Sequence, residues 1–275
     1  MSEPQTEQPG STLEHVLALV RRSPEFVREH DRAGWLGLFG TDGVIEDPVG
    51  SPPARVADGT LARFWDTFIG PNEVEFEVHR DCQVGHAVFR DAIVHTRIAG
   101  TVTLDVPAYL LYEVAEDGRS VARMSAHWPL SSLSLSALKL GPAAWIQMIR
   151  LFVRMLRNMG PRWVGGYLAA LWDGVGARGP RTLAQLCAAV EARDPRAIAS
   201  LFTDEHARVA LGAQARSVAE LLELLPAGSG LAVRDAVSAG WCTAFRFTSR
   251  DAAGLGLAEF ASGSKRISRL RLFPG

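Results

Sequence analysis

The sequence predicts an α+β fold of two cone-shaped domains, each a curved antiparallel sheet with helices packed on its concave face, joined by a helical linker. Three observations predict it. The order helix, helix, strand, helix and then four strands occurs twice along the 275 residues. The strand runs are rich in Val, Ile, Thr and aromatic residues and are broken at glycines, the pattern of antiparallel strands, and helices grouped ahead of such strands make an α+β layer fold. Between the two copies lies a stretch with helical apolar periodicity and a stripe of arginines.

The elements follow in order. Met1–Ser11 is polar and reads as a disordered leader, with the character of neither a signal peptide nor a membrane span. Pro24–Phe39 reads as a helix, a polar break at His30-Asp31, and a second helix ending in Leu38-Phe39. Asp31 can accept from the N–H groups left unpaired in that helix's first turn. A β-like stretch follows Thr41-Asp42, then a third helix at Gly59–Phe68. Strands are expected at Val74–Arg80, Val84–Thr96, Thr101–Val114 and Ser120–Trp128. The second copy repeats this with Leu183–Val190, a break at Arg193-Asp194-Pro195, Arg196–Phe202, Thr203-Asp204 and a helix at Ser217–Leu225. Its strands are Leu231–Ser238, Trp241–Thr248, Leu255–Ala261 and Arg266–Phe273. Asp194 is the matching cap, and Pro195 suits a first helical turn. The expected units are a leader at 1–11, a first domain at 12–130, a helical amphipathic linker at 131–180 and a second, degenerate domain at 181–275.

Within the linker, Pro142–Asn158 reads as an amphipathic helix. Arg150, Arg154 and Arg157 fall on one stripe, with Trp145, Ile149, Phe152, Val153 and Leu156 on the rest. A short helix, Trp163–Trp172, follows Gly160-Pro161. The arginines interrupt the apolar run too often for a membrane span. Such a helix either packs across both domains or makes peripheral contact with an anionic membrane through 142–158.

Composition narrows the function classes. Hydrophobic residues make up 47% and charged residues 21%, and the net charge is −1. That is ordinary globular chemistry, with no field to gather nucleic acid. Cys82, Cys187 and Cys242 are isolated and odd in number, which argues against a disulfide framework and for a reducing, cytoplasmic setting. Seven histidines show no ligand-spaced pair, so no metal is expected. Gly254-Leu255-Gly256 lacks the strand-to-helix setting of a dinucleotide site, and no cofactor is expected.

One segment stands apart. Val44-Ile45-Glu46-Asp47-Pro48-Val49-Gly50-Ser51-Pro52-Pro53 places one carboxylate, Asp47, at the end of an apolar strand and against a proline. An acid at the lip of an apolar pocket can act as a general base. Strand alternation then sketches the pocket: Leu104, Val106 and Ala108 share one face, as do Met124, Ala126 and Trp128. The result is an apolar, aromatic-floored cavity suited to a flat hydrophobic ligand.

With Glu46-Asp47-Pro48-Val49-Gly50 and Pro52-Pro53, Leu104-Asp105-Val106, Met124-Ser125-Ala126-His127-Trp128, and Phe64-Trp65 on the third helix, residues 12–129 resemble the ketosteroid isomerase branch of the nuclear transport factor 2-like superfamily. The resemblance implies a proton-transfer pocket in which Asp47 is the base, with Phe64 and Trp65 beside the substrate. In that family a Tyr and a protonated Asp bind the enolate oxygen. Here Ser23 and Ala108 stand in those two places. Tyr109 and Tyr112 are the candidate replacements: Tyr109 if a bulge at Pro107 turns it inward, Tyr112 by sharing the parity of Ala108. Glu75 is the candidate second carboxyl beside Asp47, which requires its strand to be reversed or twisted.

Three functions follow as expectations. The first is isomerase-like proton transfer on a steroid or polyketide carbonyl. The second is epoxide opening or cyclisation in polyether-type polyketide synthesis, which some proteins of similar fold perform. The third is binding of a hydrophobic ligand without chemistry. In place of Asp47 the second copy reads Arg208-Val209-Ala210-Leu211-Gly212, so it is expected to be an inactive partner in an intramolecular pseudo-dimer or a homodimer.

Overall fold

The computed structural model describes residues 9–98, 102–130, 142–204, 207–225 and 228–275. Residues 1–8 of the expected leader, Thr101 at the head of an expected strand and 131–141 of the linker lie outside the described residues. Helix α1 (Pro9–Arg28) takes in Pro9, Gly10 and Ser11, assigned to the leader above. It is followed by α2 (Arg32–Leu36), β1 (Phe39–Glu46), the two-residue β2 (Ala54–Arg55), and α3 (Thr60–Phe64), which continues into a wider π turn at Trp65–Ile69. Four long strands complete the first unit: β3 (Asn72–Val84), β4 (Ala87–Ile98), β5 (Val102–Val114) and β6 (Val121–His127). The linker holds α4 (Pro142–Asn158) and α5 (Pro161–Ala169).

The second unit consists of α6 (Arg178–Glu191), α7 (Pro195–Leu201), β7 (Arg208–Leu211), β8 (Gln214–Ser217), a short turn of helix into α8 (Leu221–Leu224), and β9 to β12. The last four are Ala232–Ala239, Cys242–Thr248, Ala253–Phe260 and Ile267–Pro274.

The repeat extends to the backbone. His30 and Arg193 both take left-handed φ values of 53° at the end of the first helix of their unit. The following N–H reaches back five residues in each case, Asp31 N to Phe26 O and Asp194 N to Ala189 O, the closing bond of a Schellman motif. Each aspartate then caps the next helix, Asp31 by accepting from Gly34 N and Asp194 from Arg196 N and Ala197 N. Both six-stranded sheets have the same order, β2-β1-β6-β5-β4-β3 and β8-β7-β12-β11-β10-β9. They are mixed, which corrects the purely antiparallel expectation: β1 runs parallel to β6 and β7 parallel to β12. The physical cause is that the helix-bearing segment between β2 and β3 carries the chain across the sheet, so the last strand returns beside the first in the same direction.

Each sheet buries its helices on one face. Trp35, Phe64, Val88, Leu110 and Tyr112 belong to the core of the first unit; Phe202, Phe245, Phe247 and Phe260 fill that of the second. The opposite faces of the two sheets meet in a third cluster, where Cys82, Phe89, Tyr109 and Leu111 pack on Ala244, Leu255, Leu257 and Phe273. Arg246 pairs with Asp91 and Arg271 with Glu113 across the same junction.

The loop carrying the Asp47 segment also touches the second unit. A Cβ on Gly240 would lie 3.0 Å from the Gly50 Cα and 3.1 Å from the Val49 carbonyl, and both glycines have positive φ. Gly240→Ala is therefore expected to cost about 1–3 kcal/mol from backbone strain and crowding combined, read as a lower urea midpoint with an unchanged slope.

Candidate active site

A cavity of about 290 Å³ opens between the concave face of the first sheet and its helices. The alternation of β5 builds one wall: Leu104, Val106, Ala108, Leu110 and Tyr112 face the cavity, while Tyr109 and Leu111 face the second sheet. Met124, Ala126 and Trp128 line it from β6 and the residue that follows, and Val74 and Phe76 from β3. Val27, Trp35, Phe64 and Phe68 close it from the helices. The linker closes it further, with Ala144, Gln147, Met148 and Leu151 of α4 and Tyr167 of α5 among the lining residues.

Asp47 sits where β1 ends, and among the lining residues it is the one carboxylate. Its surroundings are apolar, and burial raises its pKa to about 6. The indole N–H of Trp128 donates to Oδ1 at 2.5 Å and holds the pKa below what burial alone would impose, because a hydrogen bond to the charged form favours it. Trp128→Phe removes that bond. The pKa of Asp47 is then expected to rise above 6, and any activity needing the carboxylate should shift its lower pH limit upward, checked by a pH–rate profile or a carboxyl NMR titration.

Two phenols face the same space. Tyr112 is buried at 1% exposure. Its hydroxyl points at Ser23 Oγ over a long 3.5 Å, and the Arg90 guanidinium lies 5.8 Å from its ring centre. Burial pushes its pKa up, so it stays a neutral donor. Tyr167 is also held neutral by burial, and the charge of Asp47 adds to that effect. No hydrogen bond to another described residue engages its hydroxyl. Its ring stacks on Trp163 and Phe68, with centroids at 5.4 and 6.2 Å. Gly166 brings α5 this close: a Cβ there would fall 2.4 Å from Pro52 Cγ, in the loop that carries Asp47. Asn72 adds a third polar group, lining the cavity with a buried Oδ1 that accepts no hydrogen bond.

The sequence reading is corrected at three residues. Tyr109 does not turn inward. The β4–β5 register runs unbroken through Ile93–Pro107 and Asp91–Tyr109, so there is no bulge, and the Tyr109 hydroxyl donates to the Asp235 carbonyl of the second unit at 2.8 Å. Pro107 fits without one because β6 pairs with β5 only from Tyr109 onward, leaving its missing N–H with no partner to lose. Glu75 is exposed on the outer face of β3, as regular alternation with Val74 and Phe76 requires. Trp65 packs in the core against Trp35, centroids 5.2 Å apart. It neighbours Phe64 on a helical turn, and adjacent helical residues do not share a face. Ser23 and Ala108, standing where the resemblance puts its enolate-binding pair, do line the cavity.

Tyr167 and Asn72 were not found from the sequence. Tyr167 lies in the linker, beyond the stretch that carried the resemblance; its signal was that it is one of only three tyrosines, directly after Gly165-Gly166.

Residues 20–123, within the first unit, match the SnoaL-like domain model of the nuclear transport factor 2-like superfamily. No protein of curated function matches the chain. Among solved structures, the chain is similar to a Δ5-3-ketosteroid isomerase from a Mycobacterium species at 27% identity and a TM-score of 0.38, over 42% of this chain and 92% of that one. A Mycobacterium tuberculosis protein solved with estradiol-17β-hemisuccinate matches at 26% identity and 0.38, over 42% and 93%. An epoxide hydrolase of the LEH-like type from the same organism matches at 18% identity and 0.38, over 52% and 96%.

Proposed function

We propose that the first unit is a cofactor-independent, isomerase-like enzyme that moves a proton on a hydrophobic carbonyl substrate of the steroid or polyketide class. The observation that carries this is one half-buried carboxyl of raised pKa in an apolar cavity that also holds two neutral phenols. The Asp47 carboxylate takes a proton from the carbon next to the carbonyl. The bonding electrons move to the carbonyl oxygen, and Tyr167 with Tyr112 donates hydrogen bonds to the developing enolate. Where the substrate is a β,γ-unsaturated carbonyl, Asp47 then returns the proton at the γ-carbon of the dienolate, the carbonyl re-forms and the carbon–carbon double bond moves to the α,β position. A pKa near 6 suits a base that must both take and release a proton near neutrality. Phenols pre-set in a water-poor site stabilise developing charge without reorganising.

Epoxide chemistry fits less well, because its two cooperating carboxyls need to share the site and no second carboxyl lines this cavity among the described residues. In this reading the second unit is the inactive partner of an intramolecular pseudo-dimer: β7 ends at Leu211-Gly212, and aromatic side chains fill its core. The lone, half-buried or buried thiols fit a cytoplasmic location.

The test is incubation with a panel of enolisable hydrophobic ketones in deuterium oxide. Deuterium should enter the α-carbon of any ketone that binds. Tight binding with no exchange in every case would leave only a binding site.

A further inference from the structure

The linker helix α4 has two apolar faces. Ala144, Gln147, Met148 and Leu151 line the cavity, whereas Ile146, Ile149, Phe152, Val153 and Leu156 are 51%, 64%, 40%, 48% and 38% exposed. At about 100° per residue the exposed set falls within an arc of about 80–120°, with Arg150 and Arg157 along one edge. Soluble surfaces rarely leave so continuous an apolar strip uncovered. Beyond it, Trp172 is 83% exposed. From Pro142 to Trp172 the chain has four arginines and no Asp or Glu.

We propose that α4 is a docking surface for an anionic lipid bilayer, its outward face bedded at the headgroup boundary while its inward face walls the cavity. Charge decides the occupant. An apolar strip edged by cations, on a stretch of chain without Asp or Glu from Pro142 to Trp172, matches a negatively charged lipid surface, and it is the composition of helices that lie in the interface plane. The helix is not a membrane span: among the described residues none is long and apolar enough to cross. Arg154, which donates to the Thr67 carbonyl at 3.1 Å, ties α4 to the π turn beneath it. Docking would thus set the cavity wall against the lipid phase, where hydrophobic ligands are concentrated. The inference stands on surface chemistry and does not require the cavity to be catalytic.

The experiment is co-sedimentation of the full chain with vesicles of phosphatidylcholine alone or mixed with phosphatidylglycerol. Binding is expected to the mixed vesicles, weakened by salt, and little to phosphatidylcholine alone. Arg150→Glu with Arg157→Glu should weaken it by about fivefold or more per residue, and Ile149→Glu with Val153→Glu should abolish it. Both variants sit on the surface and should keep the wild-type melting temperature. Absence of binding to mixed vesicles, or binding that both variants retain, overturns the proposal. So does light scattering that shows a dimer which Ile149→Glu converts to monomer, since a second copy would then cover the strip.

Discussion

Asp47→Asn is expected to lower turnover by about 10²–10⁴-fold, the usual worth of a positioned general base, and at the same time to make the protein more stable at alkaline pH. The two effects have one cause. Burial lifts the carboxyl from its ordinary 3.8 to about 6. A group whose folded-state pKa is raised contributes stability that is fully present below its unfolded pKa and lost as pH rises through the folded one. Wild type should therefore lose stability between about pH 4 and pH 6, by up to about 3 kcal/mol for a shift of this size. An amide cannot ionise, and its oxygen can still accept from Trp128. The variant should melt higher than wild type at about pH 8 and alike at about pH 3, by a few degrees per kcal/mol. Turnover in wild type should rise with pH around a midpoint near 6. A variant that keeps its activity, or that melts lower than wild type at alkaline pH, would remove Asp47 from the role of base.

Tyr167→Phe is expected to cost about 10²–10³-fold in kcat with a small change in KM, as loss of one enolate-binding donor does. The ring stays in its stack with Trp163 and Phe68, so the melting temperature should hold. Tyr112→Phe is the natural companion. Its hydroxyl already leans toward Ser23, so a smaller loss there and a larger one at Tyr167 would mark the linker tyrosine as the principal donor. Equal and negligible losses at both would leave the enolate without a partner and overturn the mechanism.

Much of this was legible in the sequence because strands obey a period of two. The parity of β5 puts Leu104, Val106, Ala108 and Tyr112 in the cavity, and Glu75 fails as a second carboxyl because its strand keeps the same rule and turns it outward. Tyr109 was misplaced only where a proline was allowed to break the rule. Its position in the register, beyond the reach of β6, shows why no break was needed. The aspartate was visible because a strand end, an acid and a proline occur together in few other settings. Tyr167 was invisible for the opposite reason. It reaches the site through a contact of α5 with Pro52, more than a hundred residues earlier in the chain, and no local periodicity reports such an approach. The outward face of α4 was legible as amphipathic, but not which of its apolar residues the cavity would claim.

The touch between Gly50 and Gly240 has a consequence for how such a chain can evolve. In a homodimer of identical copies, every substitution appears on both sides of the axis at once, so a residue that helps one role and harms another is held to a compromise. Fusion removes that constraint. The second unit has no acid at the end of β7, fills its interior with phenylalanines and presents a bare glycine where the Asp47 loop leans on it. Two units in one chain are free to diverge, but with this contact between them they are not free to part. The first half expressed alone would lose both the face that covers Phe89 and Leu111 and the backbone against which its own Asp47 loop rests.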